Sequence, residues 1–407
     1  MNLSLLGKDV IGLIFNKLDI LSQLRLRKTC KYFYQFFNIT DLYNISRIYR
    51  CRLSDIVIKQ YKHLEQLNLH SNIVVTDRCL KDLPIRKLML TSSNISNDGI
   101  KGLTKLKELY IYGNENLISN EGIKDLNIEL LNVSRNTKIT DISIYNLKKT
   151  LKILYASNTN QITDNSVNEL NLVELYIGLN TKITDSSIKN MISLKVLDIN
   201  FNDKITDVGI RGLVNLETLY VGPNITDYGL EHLTSLKKIW IGYNNITDKA
   251  IKRLSLLTDL VMSGNCIITD EGIKDLKLIH LGANSNKSLI SDLGIMRMTS
   301  LRFLSVRYNQ KISDKGLMNK KLIKLNTEFN PMITDLSIKD MSLEFLNASN
   351  NMMITDIGIH NMPLQILVIK DCSGITDIGI NGLTKLKMLD SLNNPSITKK
   401  VRHDDFL

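Results

Sequence analysis

From residue 64 onward the apolar positions follow two alternating rhythms. The first is a run of three leucine-like residues spaced three and then two apart, with asparagine three positions further on. It reads as Leu64, Leu67, Leu69 and Asn72, again as Leu106, Leu109, Ile111 and Asn114, and again as Leu301, Leu304, Val306 and Asn309. Apolar residues two apart share one face of a short strand, so each run predicts a strand that leaves its sheet at the asparagine. The second rhythm is Ile-Thr-Asp, any residue, a small residue and Ile, recurring from Val75-Thr76-Asp77 to Ile397-Thr398-Lys399. A polar residue ahead of a short apolar run marks a helix start. Each unit therefore predicts a strand, a turn and a short helix.

The Asp slot falls at 77, 97, 120, 141, 164, 185, 207, 227, 248, 270, 292, 314, 335, 356, 377 and 399, at intervals of 20 to 23 residues. Spacing this regular leaves no room for a conventional catalytic domain. The first rhythm is the leucine-rich repeat signature. The expected fold is an α/β leucine-rich-repeat solenoid, a horseshoe with a parallel concave sheet and short convex helices, of about 16 units over 64–398. Each copy buries its apolar face only by stacking on its neighbours.

Three slots suggest roles within that stack. The turn position holds Asn in thirteen units and Ser93, Thr159 or Cys372 in the others, which reads as one continuous hydrogen-bonding ladder. The Asp position suits a helix N-cap, its carboxylate accepting bonds from first-turn amides, as before Gly209-Ile210-Arg211-Gly212-Leu213. The small position two residues later is expected to let convex helices approach closely.

Residues 5–37 break the repeat. Val10, Ile11, Ile14, Phe15 and Leu18 fall on one helical face, and Ser22 is placed to cap a second helix carrying Leu24 and Leu26. Such a segment could simply shield the open end of the solenoid. The residue order goes further: Leu6-Gly7-Lys8-Asp9-Val10-Ile11-Gly12-Leu13-Ile14-Phe15-Asn16-Lys17-Leu18-Asp19, then Ser22-Gln23-Leu24-Arg25-Leu26, then Cys30-Lys31-Tyr32-Phe33, closely resembles the F-box. Gly7, Ile20, Ser22 and Phe33 stand where that family usually has Pro, Pro, an acidic residue and Trp.

A small all-α F-box over 1–40 followed by repeats resembles the F-box/leucine-rich-repeat family of ubiquitin-ligase substrate receptors. That resemblance implies a non-enzymatic chain docking a Skp-type adaptor, itself bound to a cullin complex, through Leu6, Val10, Ile14, Phe15, Leu18, Leu24 and Leu26. The repeats would hold an unknown protein substrate. Residues 41–63 read as a rigid helical connector, the preferred reading, or as a degenerate first repeat. Residues 399–407 read as a frayed polar tail or as a segment folded back on the concave face.

Charge changes little. The net charge is +11, but residues 1–63 carry eleven Lys/Arg against four Asp/Glu, leaving +4 on the rest. A basic nucleic-acid groove is not expected. The five cysteines show no paired spacing, Lys8, Asp9, Lys17 and Asp19 interrupt any leader, and no apolar run approaches the roughly 20 residues that span a bilayer. The expectation is a cytoplasmic or nuclear protein that engages no membrane. The six histidines form no ligand motif and no phosphate loop appears, so neither cofactor nor metal is expected.

The candidate binding surface is the slot between the last two apolar strand positions, which points onto the concave sheet. It runs Asn68, Met89, Tyr110, Asn132, Tyr155, Tyr176, Asp198, Tyr220, Trp240, then Val261, Gly282, Ser305, Asn326, Asn347, Val368 and Asp390. At 6% aromatic overall, one aromatic would be expected in this row, yet there are five. Strands favour aromatics, so β-propensity remains a competing explanation. On the binding reading, Tyr110, Tyr155, Tyr176, Tyr220 and Trp240 are partner anchors, the last four in one continuous patch.

Overall fold

The computed structural model describes residues 18–29, 38–113, 117–371 and 374–398. Most units contribute a strand of three residues and a helix of four. A period of 20 to 23 residues, once turns are subtracted, leaves room for no more.

The chain divides into two compact bodies, one up to Leu175 and one from Tyr176. In the first, parallel strands run from Asp41–Leu42 through Gln66–Asn68, Lys87–Met89, Glu108–Tyr110 and Leu130–Asn132 to Ile153–Tyr155. In the second, strands pair in parallel from Val196–Asp198 to Met388–Asp390. Both bodies are leucine-rich-repeat solenoids. Every register places like slot on like slot, as in Leu88↔Leu109 and Leu219↔Ile239. A slip of one residue would turn the leucines out to solvent.

Strand after strand shows the same exposure pattern, a fully buried centre between two half-exposed neighbours, as in Thr218, Leu219 and Tyr220. Behind the sheet, Ile100, Ile123, Ile210 and Ile273 at the ends of the convex helices are fully buried against those leucines. Burial of this kind contributes roughly 1.5–3 kcal/mol per large side chain.

Residues 41–63 contain the parts of a repeat. Asp41–Leu42 pairs with the next strand, Ile58 is buried, and Asp55 bonds Thr76 as later Asp residues bond their neighbours. A connector would need none of these contacts.

The helix cap differs from the sequence expectation. The capping side chain is the Thr or Ser before Asp, as where Thr206 Oγ1 accepts from the Val208 N–H at 3.3 Å. Asp207 is the first helical residue, and its carboxylate turns to the next repeat, accepting from the Thr226 N–H at 2.8 Å and hydroxyl at 2.6 Å. This clamp is repeated by Asp77, Asp141, Asp185, Asp227, Asp248, Asp270, Asp292, Asp314, Asp335 and Asp356.

The clamp also accounts for the small slot. A β-carbon on Gly209 would lie 2.3 Å from Asp185 Oδ1, and on Gly229 2.4 Å from Asp207 Oδ1. The preceding unit's carboxylate comes closest, and the Cα of the same Asp, the first residue of the neighbouring helix, would lie 3.2 Å away, so the slot also lets adjacent helices approach. Where the slot is Ser, its hydroxyl joins the clamp: Ser166 donates to Asp141 at 2.6 Å and Ser337 to Asp314 at 2.5 Å.

The asparagine ladder is not continuous. Asn72, Asn136, Asn202, Asn265, Asn309, Asn330, Asn351 and Asn394 are buried in their turns, but Asn224 and Asn286 are exposed. After Gly222 the turn Pro223-Asn224 is exposed, while in the next-but-two unit the buried turn position is taken by Ser288. Asn114 and Cys372 lie outside the described residues.

In the N-terminal region the described helix is Ile20–Thr29. Asp19 caps it, accepting from the Ser22 N–H at 3.0 Å and hydroxyl at 2.5 Å, so Ser22 lies within the first turn instead of ahead of it.

Candidate functional site

The sheet positions the candidate surface, because every second strand residue must face away from the leucine core. Tyr110, Tyr155, Tyr176, Tyr220 and Trp240 all occupy such positions and are half-exposed.

In the first body Tyr110 belongs to a closed cluster. Its ring lies 6.1 Å from that of Tyr43, Lys87 Nζ is 4.4 Å from the Tyr43 ring centre and 5.4 Å from that of Tyr110, and Glu108 pairs with Lys87 at 2.9 Å. The Tyr110 hydroxyl donates to Glu108 at 3.1 Å. Burial, with Glu108 adding to it, pushes the Tyr43 phenol up to about 12 and raises that of Tyr110 well above its usual value. Asn132 separates Tyr110 from Tyr155 in the strand register.

In the second body Tyr220 and Trp240 stack with ring centres 4.4 Å apart and planes 14° from parallel. Asp198 pairs with Tyr220 in the register and interrupts the row on the Tyr176 side. Burial raises its carboxyl above the ordinary value, opposed by the bond it accepts from the Asn200 N–H at 2.9 Å. The stacked pair opens onto a cleft of about 1040 Å³ that also touches Phe201, Pro223, Tyr243, Val261, Asn284, Arg307 and Tyr308.

Several of those residues were not singled out from the row. Phe201, Pro223, Tyr243 and Tyr308 occupy one slot just before the turn position, a second row of large side chains along the sheet edge. Phe201 and Tyr308 are held at φ of 56° and 60°, the left-handed turn conformation that the same slot adopts at Ser71, Arg135, Leu179, Phe329 and Asn350, so it belongs to the repeat and not to the cleft. Tyr308 stacks on Phe329 at 4.5 Å and 12°. Reading the pre-turn slot along the units, as was done for the strand slot, would have found this row.

Of the residues the family resemblance ties to adaptor docking, Leu18, Leu24 and Leu26 are half-buried, and Arg27 lies 5.8 Å from the Tyr61 ring. Leu6, Val10, Ile14 and Phe15 lie outside the described residues, as does the tail 399–407. Among the described residues no cluster of three His, Cys, Asp or Glu side chains could hold a metal ion, and no helix is long and apolar enough to cross a membrane.

Residues 3–45 match the F-box domain family, and residues 190–214, 253–277 and 297–319 match the leucine-rich repeat family. No curated protein matches the sequence. Among solved structures the fold is similar to that of a TLR13–ssRNA13 complex, at 19% identity and a TM-score of 0.51. That likeness covers 85% of this chain, which spans 64% of that one. It is also similar to a yeast Rad7 and Elc1 complex, with 16% identity, a TM-score of 0.47 and coverage of 93% and 92% of the two chains. An internalin from Listeria monocytogenes gives 22%, 0.44, 84% and 90%. At such identities the likeness concerns the fold alone. The chain thus joins an N-terminal F-box domain to leucine-rich repeats, the architecture of the F-box/leucine-rich-repeat family.

Proposed function

We propose that this chain is the substrate-binding subunit of an SCF-type ubiquitin ligase. The observation that carries the reading is the order of parts, an F-box over residues 3–45 ahead of repeats that display paired aromatics on a concave sheet. F-box/leucine-rich-repeat chains are typically adaptors without bond chemistry of their own. Leu6, Val10, Ile14, Phe15, Leu18, Leu24 and Leu26 would bury against a Skp-type adaptor, each contributing roughly 1.5–3 kcal/mol where fully covered. The adaptor would place the complex on a cullin. The repeats would hold the target protein on the face bearing Tyr220 and Trp240, since large rigid aromatics with polar tips are common interface anchors. Tyr176 would add to that face within the second body, and Tyr110 and Tyr155 would be anchors on the first body's own sheet.

The test is co-expression of the full chain with a Skp-type adaptor. Co-purification is expected, and Leu24→Asp with Leu26→Asp should abolish it while the repeats keep their melting temperature. Failure of the unaltered chain to hold any such adaptor would reduce it to a repeat scaffold whose N-terminal helices only cap the solenoid. Separately, Tyr220→Ala with Trp240→Ala should release captured partners without loss of thermal stability.

A further inference from the structure

Two stacked aromatic pairs face one another along the second body's concave edge. Tyr220 and Trp240 form one wall, with Tyr243 beside them; Tyr308, backed by Phe329, forms the other. Between them the side chains shrink. Val261, Ser263 and Gly264 line the floor, and a β-carbon on Gly264 would lie 2.5 Å from the Tyr243 ring, so that ring lies directly over the glycine. Three strand steps separate Trp240 from the repeat of Tyr308, about 14 Å at the usual spacing. Less the thickness of the rings, that gap admits one large side chain on an extended backbone.

The cleft lining holds one charged side chain, Arg307, and on the same strand face beside it Lys238, two residues before Trp240, and Lys324 have no carboxylate within ion-pair distance among the described residues. The nearby acids are already engaged. Asp259 accepts from the Thr258 hydroxyl at 2.7 Å and lies 3.6 Å from His280, while Glu328 pairs with Arg307 at 3.1 Å and accepts from Asn347 at 3.3 Å. Attraction of an acidic segment would raise both its local concentration and its association rate.

We propose that the cleft binds an extended acidic peptide segment that inserts one aromatic or large aliphatic side chain between Trp240 and Tyr308, with its carboxylates toward Lys238 and Lys324. This deepens the concave-face reading above and rests on it. A single-stranded nucleic acid is disfavoured, because base stacking needs free ring faces in series and here Tyr220 with Trp240, and Tyr308 with Phe329, spend faces on each other.

The probe is a phage-displayed library of random twelve-residue peptides panned on the full-length protein, with rU12 as a parallel ligand. Enrichment of Asp and Glu around a central Trp, Phe or Leu is expected. A synthetic copy of an enriched peptide should lose affinity about tenfold or more on Ser263→Tyr, which fills the floor. That slot carries Tyr112 in one repeat and Arg307 in another, so the fold tolerates bulk there. Lys238→Glu with Lys324→Glu should weaken binding by a similar factor and flatten its salt dependence. Neutral or basic enrichment, unchanged binding by Ser263→Tyr, or tight binding of rU12 overturns the proposal. If Tyr220→Ala with Trp240→Ala abolishes peptide binding while Ser263→Tyr does not, the cleft assignment falls and the concave-face reading stands. If neither variant affects it, both fall.

Discussion

Asp185 binds Thr206 of the following repeat with both carboxylate oxygens, accepting from its N–H at 2.8 Å and from its hydroxyl at 2.6 Å. Thr206 in turn caps its own helix by accepting from the Val208 N–H. One side chain therefore couples two repeats at the place where a four-residue helix begins. Such a helix has too few internal bonds to stand alone, so its start must be fixed from outside.

Asp185→Ala should leave the Thr206 N–H and hydroxyl without their partner and cost about 1–3 kcal/mol. Asp185→Asn should be far milder. Asn97 and Asn120 already perform the clamp, the amide oxygen accepting from the Ser119 and Thr140 N–H groups while the amide nitrogen donates to their hydroxyls. Urea denaturation of the two variants beside the parent checks this, and midpoints equal to the parent's in both would show that the clamp contributes nothing.

At Gly209 the order of substitutions is informative. Ala250 occupies the same slot with the Asp227 clamp intact, so Gly209→Ala is expected to be tolerated with small loss. Gly209→Val should displace the Asp185 carboxylate altogether and lower the melting temperature at least as much as Asp185→Ala. Retention of the parent melting temperature in Gly209→Val would contradict the steric account.

Turn asparagines should divide into two classes. Asn309 donates to the Ala283 and Ile290 carbonyls at 3.2 and 3.1 Å and accepts from the Lys311 and Ile312 N–H groups at 2.8 and 3.2 Å. Asn309→Ala should cost about 1–3 kcal/mol, whereas Asn224→Ala, on an exposed turn, should stay within about 0.5 kcal/mol. Similar melting temperatures for the two variants would refute the division.

Asp198 gives a pH signature. Its carboxyl is raised in the folded protein by burial, so the folded state binds the proton more tightly than the unfolded chain. The associated loss of stability develops as pH rises from the ordinary carboxylate value through the raised one and is complete above it. Asp198→Asn should therefore raise the melting temperature at pH 7 and give no gain in acid below the ordinary value. Asn132, Asn326 and Asn347 make the same bond to the residue two positions on, so the geometry is kept.

Lys320 is the mirror case. It is buried where neighbouring repeats have Leu254, Leu276 and Met298, and its ammonium donates to the Met296 carbonyl at 2.8 Å. Burial lowers its pKa, so the unfolded chain holds the proton more tightly and stability rises as pH climbs through the lowered value. Lys320→Met should stabilise by about 1 kcal/mol or more at pH 7, with the advantage shrinking in alkali. A pH-independent difference in denaturation midpoint would refute this.

Repeat number, strand position and the buried leucine face were legible in the sequence alone, because a period of two and a fixed unit length are properties of the backbone that every copy repeats. The outward orientation of Tyr220 and Trp240 followed from the same alternation. The Asp clamp did not, since the short-range reading of an acidic residue before a helix is a cap, and only stacking brings Thr206 to Asp185 across 21 residues. Nor did the cleft: which aromatics stack on each other, which acids are already engaged and which pre-turn residues line the sheet edge depend on contacts between neighbouring copies. Local periodicity specifies each unit, but the surface those units present together is set by packing between residues about one repeat apart.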